Sequence, residues 1–214
     1  MTCGMEMFEG LCRQEGIEGK EVGLIKEILD PMESYHRSTY EHSLRVGTMA
    51  AKIAKVVDSD PRLAIYGVWH DMGKLEIPID LLDSMNFSRE DMTIMKRHTT
   101  EGYKILFEKG YTFAAGIALF HHLFQKESYP VLNGGIAKEN GTTIALPYSE
   151  QEIKQILDYS EIVSIADKDD ALKRENNRHG QKRLSLEERK SCLIREHSKR
   201  KSLIECLYEK GVLN

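Results

Sequence analysis

Five histidines and two aspartates stand at wide intervals through the middle of this 214-residue chain: His42, the pair His70-Asp71, His98, the pair His121-His122, and Asp167. The chain holds eight histidines, so most of its imidazole is spent on this one series. Imidazole nitrogens joined by a few carboxylate oxygens, with no thiolate among them, suit Fe, Mn, Zn or Co, whereas Mg or Ca would favour an oxygen-rich set. Seven candidate ligands exceed the four of a closed tetrahedral zinc site. Two ions sharing a bridging carboxylate use such a set and leave positions open for water and substrate. For any one of these residues a hydrogen-bonded core group is the stronger reading, and the joint series weakens it.

Those side chains need elements to aim them, and the elements read as helices. Nearly every segment carries helical start and stop signals while period-2 strands are absent, so the expected fold class is all-α, in a single domain. His42 heads a stripe with Val46, Met49, Ala50, Ile53 and Val57 at the spacing of one helix face, which turns it toward a core. Ile156, Ser160, Val163 and Asp167 share a face of a long helix opened by a Ser149/Glu152 capping box and running through Leu172. A carboxylate on so apolar a face must be neutralised, hydrogen-bonded or metal-bound, because an unpaired buried charge is costly. Asp60-Pro61 predicts the start of a helix that ends at His70-Asp71, with Gly73 closing it. Ser88 caps a helix through Met92 and Met95 to His98, and a further helix from Thr99 or Thr100 stops near Lys109-Gly110. Gln125 to Pro147 contains Pro130, Asn133-Gly134-Gly135 and Asn140-Gly141 and reads as loop. Two last helices fall near 186–197 and 199–210, the second ending at Gly211.

Composition sets the class. At 41% hydrophobic and 30% charged the chain is an ordinary soluble globular protein. No run approaches the roughly 18–20 apolar residues of a membrane helix, and Met1 to Cys12 lacks the features of a signal peptide. A cytoplasmic protein with no membrane association is expected. Cys3, Cys12, Cys192 and Cys206 lie near the two ends without zinc-knuckle or disulfide spacing, and are expected to be reduced. Net charge is −4, yet from Lys173 to Lys201 eleven Lys/Arg stand against four Asp/Glu. Such a stretch can attract phosphate or nucleic acid. A solvated helix face is the preferred reading, and nucleic acid is not an expected partner.

Five segments in order carry a family resemblance: Glu41-His42-Ser43-Leu44-Arg45-Val46, His70-Asp71-Met72-Gly73-Lys74, Ile94-Met95-Lys96-Arg97-His98, His121-His122 and Ile165-Ala166-Asp167-Lys168-Asp169-Asp170-Ala171-Leu172. From about Tyr35 to Leu172 the chain resembles the HD superfamily of metal-dependent phosphohydrolases, and within it the HD-GYP branch of cyclic dinucleotide phosphodiesterases. The resemblance implies a helical HD-domain core over 31–175, preceded by an arm and one short helix around Glu21 to Leu29 (1–30) and followed by a basic helical extension packing on it (176–214). It implies that His42, His70, Asp71 and Asp167 hold one divalent ion, and that Asp71 bridges to a second held by His98, His121 and His122. Fe or Mn are the ions implied first, then Zn, Co or Ni. Asp71 and Lys74 are the implied catalytic residues, Lys74 lying one turn beyond Asp71 where it would neutralise phosphate charge in the transition state. The implied substrate is a phosphate-containing small molecule, a phosphate ester of a nucleotide or cyclic (di)nucleotide.

The chain departs from the branch at three places. A glutamate that binds a third ion in some members is replaced by Ser38, so two ions are expected. The segment after the histidine pair, Leu123-Phe124-Gln125-Lys126-Glu127-Ser128-Tyr129-Pro130, is one residue shorter and carries Ser128 in place of the glycine of Gly-Tyr-Pro. A phosphate-binding arginine beyond the last motif falls near Asn176, with Arg174 and Arg178 on either side. Lys74, Tyr129, Arg174 and Arg178 are therefore the candidate substrate contacts, and aromatic residues such as Trp69 are expected in the core rather than on a base. These departures motivate an alternative, a catalytically weak HD module that binds a nucleotide or partner in a regulatory role. The motifs carry no signal for oligomeric state.

Overall fold

The computed structural model describes residues 3–84, 86–173 and 184–214. Among them helices dominate. In order they are α1 (Cys3–Gln14), α2 (Gly19–Tyr35), α3 (Arg37–Val56), α4 (Leu63–Trp69), a 3-10 turn at Met72–Glu76, α5 (Ile79–Leu82), α6 (Arg89–Lys96), α7 (His98–Glu108), α8 (Thr112–Phe120), α9 (Glu150–Lys173), α10 (Leu186–Glu196) and α11 (Lys201–Glu209).

The long helices α3 and α9 form the axis of the core. The α3 stripe read from sequence buries Val46, Ala50 and Ile53 completely, and the α9 face buries Ile156, Ser160 and Val163. α4 lies against α3 because two glycines face each other: a Cβ at Gly67 would stand 2.8 Å from the Gly47 Cα. That close crossing brings the His42 ring to 5.3 Å from the His70 ring. Gly73 serves the same end by a route the sequence did not suggest. It does not close α4 with a left-handed residue, since its φ is not positive. Instead it lets the 3-10 turn press on the start of α7, where a Cβ would overlap the His98 carbonyl and the Gly102 nitrogen.

Capping chemistry sets several boundaries as expected. Ser88 and Asp91 form a reciprocal capping box on α6, Ser149 and Glu152 do the same ahead of α9, and Gly211 takes a φ of 66° just beyond α11.

Two expectations are corrected. The start of the chain is not an irregular arm with one short helix; α1 fills twelve residues and α2 seventeen. α2 runs through Pro31, which removes one backbone donor. Glu27, whose carbonyl loses that donor, is exposed to water, and buried Met32 holds the next turn in the core. The segment 125–147 is not all loop, so the fold is predominantly helical with a small sheet rather than strictly all-α. Strands β1 (Val131–Asn133), β2 (Ile136–Glu139) and β3 (Thr142–Ala145) form an antiparallel meander in the order β1-β2-β3. Both turns pair residues of positive φ, Gly134-Gly135 and Asn140-Gly141, the geometry that matches strand twist in two-residue hairpins. The register aligns Leu132, Ala137 and Ile144 on the inner face.

The C-terminal helices pack on α9 through buried Leu193, Ile204 and Leu207. Two of the cations noted above join the C-terminal segment to α9, Arg200 pairing with Asp158 and Glu161 and Arg189 with Asp169, while Lys168 of α9 pairs with Glu196 of α10 and Lys173 with Asp169 within α9. Among the described residues no helix is long and apolar enough to cross a membrane.

Candidate metal centre

Three of the five imidazoles are set at helix ends by one local device. The last carbonyls of a helix have no partner within it, and a histidine at that end can donate to the carbonyl three residues back. His70 Nδ1 donates to Gly67 O, His98 Nδ1 to Met95 O and His121 Nδ1 to Ala118 O, each at 2.7 Å. The acceptors are carbonyls, so Nδ1 carries the proton and Nε2 is left with a lone pair. His122 follows His121 out of α8, with its carbonyl accepting from the Gln125 backbone N–H and Tyr129 stacked on its ring at 4.7 Å.

His42 is held from a different direction. Its Nδ1 lies 2.7 Å from Asp170 Oδ2, and Arg45 grips the same carboxylate through Nε at 2.6 Å and a second nitrogen at 3.2 Å. Neither Asp170 nor Arg45 was assigned a role from sequence, although Asp170 is three residues beyond Asp167 and Arg45 three beyond His42. That spacing puts each beside its neighbour on one helix face, and it is the signal that was there to find.

The seven residues converge. His42, His70 and Asp71 offer ligand atoms within 4.8 Å of one another, and so do His98, His121 and His122. Asp71 stands between the two groups with one oxygen toward each. Its Oδ2 lies 3.5 Å from His42 Nε2 and 3.3 Å from His70 Nε2. Its Oδ1 lies 3.4 Å from His98 Nε2 and 3.9 Å from His121 Nε2. Asp167 joins the first group, with Oδ1 3.1 Å from His42 Nε2 and 3.9 Å from His70 Nε2. Lys74 reaches back from the 3-10 turn to Asp71 Oδ2 at 2.5 Å.

Electrostatics separates the two groups. Burial pushes the His42 imidazole down, but the carboxylates of Asp167, Asp170 and Asp71 outweigh it and bring the pKa up to about 9. Burial lowers His98 to about 3, and His121 and His122 are also pushed down, by burial first and by neighbouring imidazoles or Lys74 after it. Burial works against the Asp71 and Asp167 carboxylates, yet His70 and Lys74 beside Asp71, and His42 and His70 beside Asp167, hold both well below the usual range.

The donor set fits metal ions. His70 Nε2, Asp71 Oδ1 and His122 Nδ1 are buried without a hydrogen-bond partner, and sealed polar atoms of this kind carry a penalty unless something binds them. Three unpartnered donors from three elements, aimed at one place and ordered by hydrogen bonds behind them, are what a bound cation satisfies.

Of the other residues singled out from sequence, Tyr129 is buried with its ring against His122, and Trp69 is buried against Tyr111. Arg174 and Arg178 lie outside the described residues.

Comparison with known proteins places this arrangement. A cyclic di-GMP phosphodiesterase of Thermotoga maritima is 32% identical over 107 residues, covering 46% of this chain and 29% of that relative. The matched segment is thus less than a third of the relative's length. The HD domain of the L. monocytogenes phosphodiesterase PgpH superposes with a TM-score of 0.55 at 19% identity, over 81% of this chain and 83% of that one. Its complex with cyclic-di-AMP gives a TM-score of 0.54 over the same shares. At that identity the likeness is one of fold. The family model described as HD domain matches residues 39–172, well over half of the sequence, and the chain belongs to the HD domain family.

Proposed function

We propose that this chain is a metal-dependent phosphohydrolase that cleaves a phosphate ester of a nucleotide, with cyclic dinucleotides as the favoured class, at a dinuclear centre. The observation that carries the reading is the position of Asp71, whose Oδ2 faces His42 and His70 while its Oδ1 faces His98 and His121. In this reading His42, His70 and Asp167 hold one ion, His98, His121 and His122 the other, and Asp71 both. Fe or Mn fits best; Zn, Co and Ni follow. The chemistry such ions supply when bound is acidification of water and neutralisation of phosphoryl charge.

The remaining work falls to the chain. Asp71, kept ionised by His70 and Lys74, is ready to bridge at neutral pH. Whereas Arg45 is turned to Asp170, Lys74, at 21% exposure, brings a cationic side chain to the Asp71 carboxylate with partial access to solvent. It is placed to meet a phosphoryl oxygen and to stabilise the charge that builds in the transition state. Tyr129, stacked on His122, holds that ring rather than offering both faces to a base. In this reading the core runs from residue 31 through α9, and α10 and α11 brace α9 from behind. The T. maritima relative is named for cyclic di-GMP and the PgpH domain is seen with cyclic-di-AMP. Both names favour a cyclic dinucleotide here.

Elemental analysis of the purified protein, with turnover measured on cyclic dinucleotides, cyclic mononucleotides and nucleoside phosphates with Mn or Fe added, tests the reading. The expected result is about two transition-metal ions per chain and hydrolysis that disappears in Asp71→Ala. Absence of transition metal together with hydrolysis unchanged in that variant would sink it. Tight nucleotide binding without turnover would instead favour the regulatory alternative raised by the altered Gly-Tyr-Pro segment.

A further inference from the structure

Beyond Tyr129 lies a cavity of about 340 Å³ that no residue of the metal centre lines. One wall is a single face of α6: Arg89, Met92, Thr93 and Lys96 follow the i, i+3, i+4, i+7 spacing and all face the cavity. The other wall holds Glu127, from the segment after the histidine pair, and Asn140, from the β2–β3 turn. Asn140 Nδ2 donates to Thr93 O at 2.8 Å and ties the hairpin to α6.

α6 buries none of its residues. Its residues are half-buried or exposed, and the face from Arg89 to Lys96 lines a cavity near the candidate metal centre. Its chemistry is that of an anion site. Glu127 is the acidic residue of the lining, and Lys96 also acts on the buried carboxylate of Glu139 behind it without a contact as short as an ion pair. Lys96 also links the cavity to the centre. Its ammonium sits 5.0 Å from the Tyr129 ring centroid, and that ring stacks on His122. The cation is therefore about one aromatic ring removed from the imidazole cluster.

We infer that this cavity is a second phosphate subsite, in which Arg89 and Lys96 hold the uncleaved phosphate of a cyclic dinucleotide while the other phosphate lies at the metal centre. The inference rests on the proposed hydrolytic reading and narrows it: the substrate carries two phosphates, set on opposite sides of one macrocycle. Charge-assisted hydrogen bonds to phosphate are the strong ones, Arg by its planar fork and Lys as a point charge. Met92 on the same face offers apolar surface for the sugar and base between the phosphates. The hairpin becomes a specificity element, because its Asn140 closes the wall opposite the cations.

The test compares wild-type protein with Arg89→Gln, Lys96→Gln and the double variant. kcat/KM is measured for cyclic di-GMP, cyclic di-AMP and bis(p-nitrophenyl) phosphate, a diester with a single phosphate. The expected result is that the ratio of kcat/KM on the preferred cyclic dinucleotide to that on the single-phosphate diester falls about tenfold per substitution, through KM. A ratio unchanged in the double variant overturns the subsite. Should no substrate be hydrolysed, calorimetric titration with the same two cyclic dinucleotides decides. Binding weakened about tenfold by each substitution upholds the subsite while the hydrolytic reading fails. Binding indifferent to both cations, or no binding at all, overturns it.

Discussion

Asp170 extends the centre beyond its ligands, and the reach of that one carboxylate can be measured. It orients His42 through Nδ1 and is itself clamped by Arg45. Hydrogen-bond partners behind a metal-binding imidazole are worth about 10–100-fold in affinity or activity. Asp170→Ala should therefore weaken metal binding by that factor while leaving the helical circular-dichroism signal intact, as read by competition with a chelating indicator. Protonation adds a second expectation. In the metal-free chain His42, with its pKa near 9, keeps both ring protons at neutral pH. An ion taken up there must displace one. The apparent affinity of that group should fall about tenfold for each unit of pH below 9, with a proton released on binding. His98, at about 3, has already lost its proton at neutral pH and should load without one. Metal titrations at pH 6, 7 and 8 in buffers of different ionisation enthalpy separate the two, and a single pH slope for both groups would contradict this account. The convergence of the seven candidate ligands was legible because histidine is scarce and their spacing is ordered. Asp170 and Arg45 were not singled out, since a carboxylate and a guanidinium on helices are common and their role appears only once α3 and α9 are side by side.

At the scale of elements, α3 and α9 announced themselves through an apolar stripe and a capping box, and the N-terminal helices and the short strands did not. Three or four residues with partial burial give too little alternation to read, and the Gly and Asn that form the hairpin turns are the residues that also mark loops. The short helix expected around Glu21 to Leu29 runs on to Tyr35 through Pro31, a residue that costs a helix interior one backbone donor. The basic charge of the C-terminal stretch reads as a solvated face in the sequence, because the acidic partners of Arg189 and Arg200 sit on α9, which only the fold brings alongside the α10–α11 brace. Glu161 anchors that brace. Burial pushes its carboxyl up, and His197 and Arg200 outweigh burial and hold it below the usual glutamate range. A carboxyl whose folded pKa is depressed contributes stability above its unfolded value, and that contribution is lost as pH falls through the folded value. The docking of α10 and α11 should thus be insensitive to pH near neutrality and loosen below about pH 4.5. Arg200→Ala leaves Glu161 without its closest cation and should cost about 1–3 kcal/mol. It should also move the acid transition to higher pH, which urea melts at pH 7 and pH 4 would register. A variant as stable as wild type at both pH values would show that apolar packing alone holds the brace.

For the whole molecule, the centre is a joint between elements that pack tightly on one another, α3 with α4 and α9, and α7 with α8 and the 3-10 turn. Its ligands come from α3, the end of α4, the 3-10 turn, the α6–α7 junction, the end of α8, and α9. Unfolding scatters them, so ions bound to the native state stabilise the entire fold rather than a local segment. At a free metal concentration one hundred times the dissociation constant, a single site adds about 2.7 kcal/mol. For a chain of this size each kcal/mol raises the melting temperature by about 2–4 °C. Saturation with Mn or Fe should raise the Tm by about 5–10 °C for one ion and further for a second, and a chelator should reverse it. Asp71→Asn removes the shared ligand and should reduce both increments together, because its two oxygens serve both groups. His98→Ala should remove one increment and leave the other. If Asp71→Asn lost a single increment, the two groups would be independent sites and Asp71 a neighbour of both rather than the bridge between them.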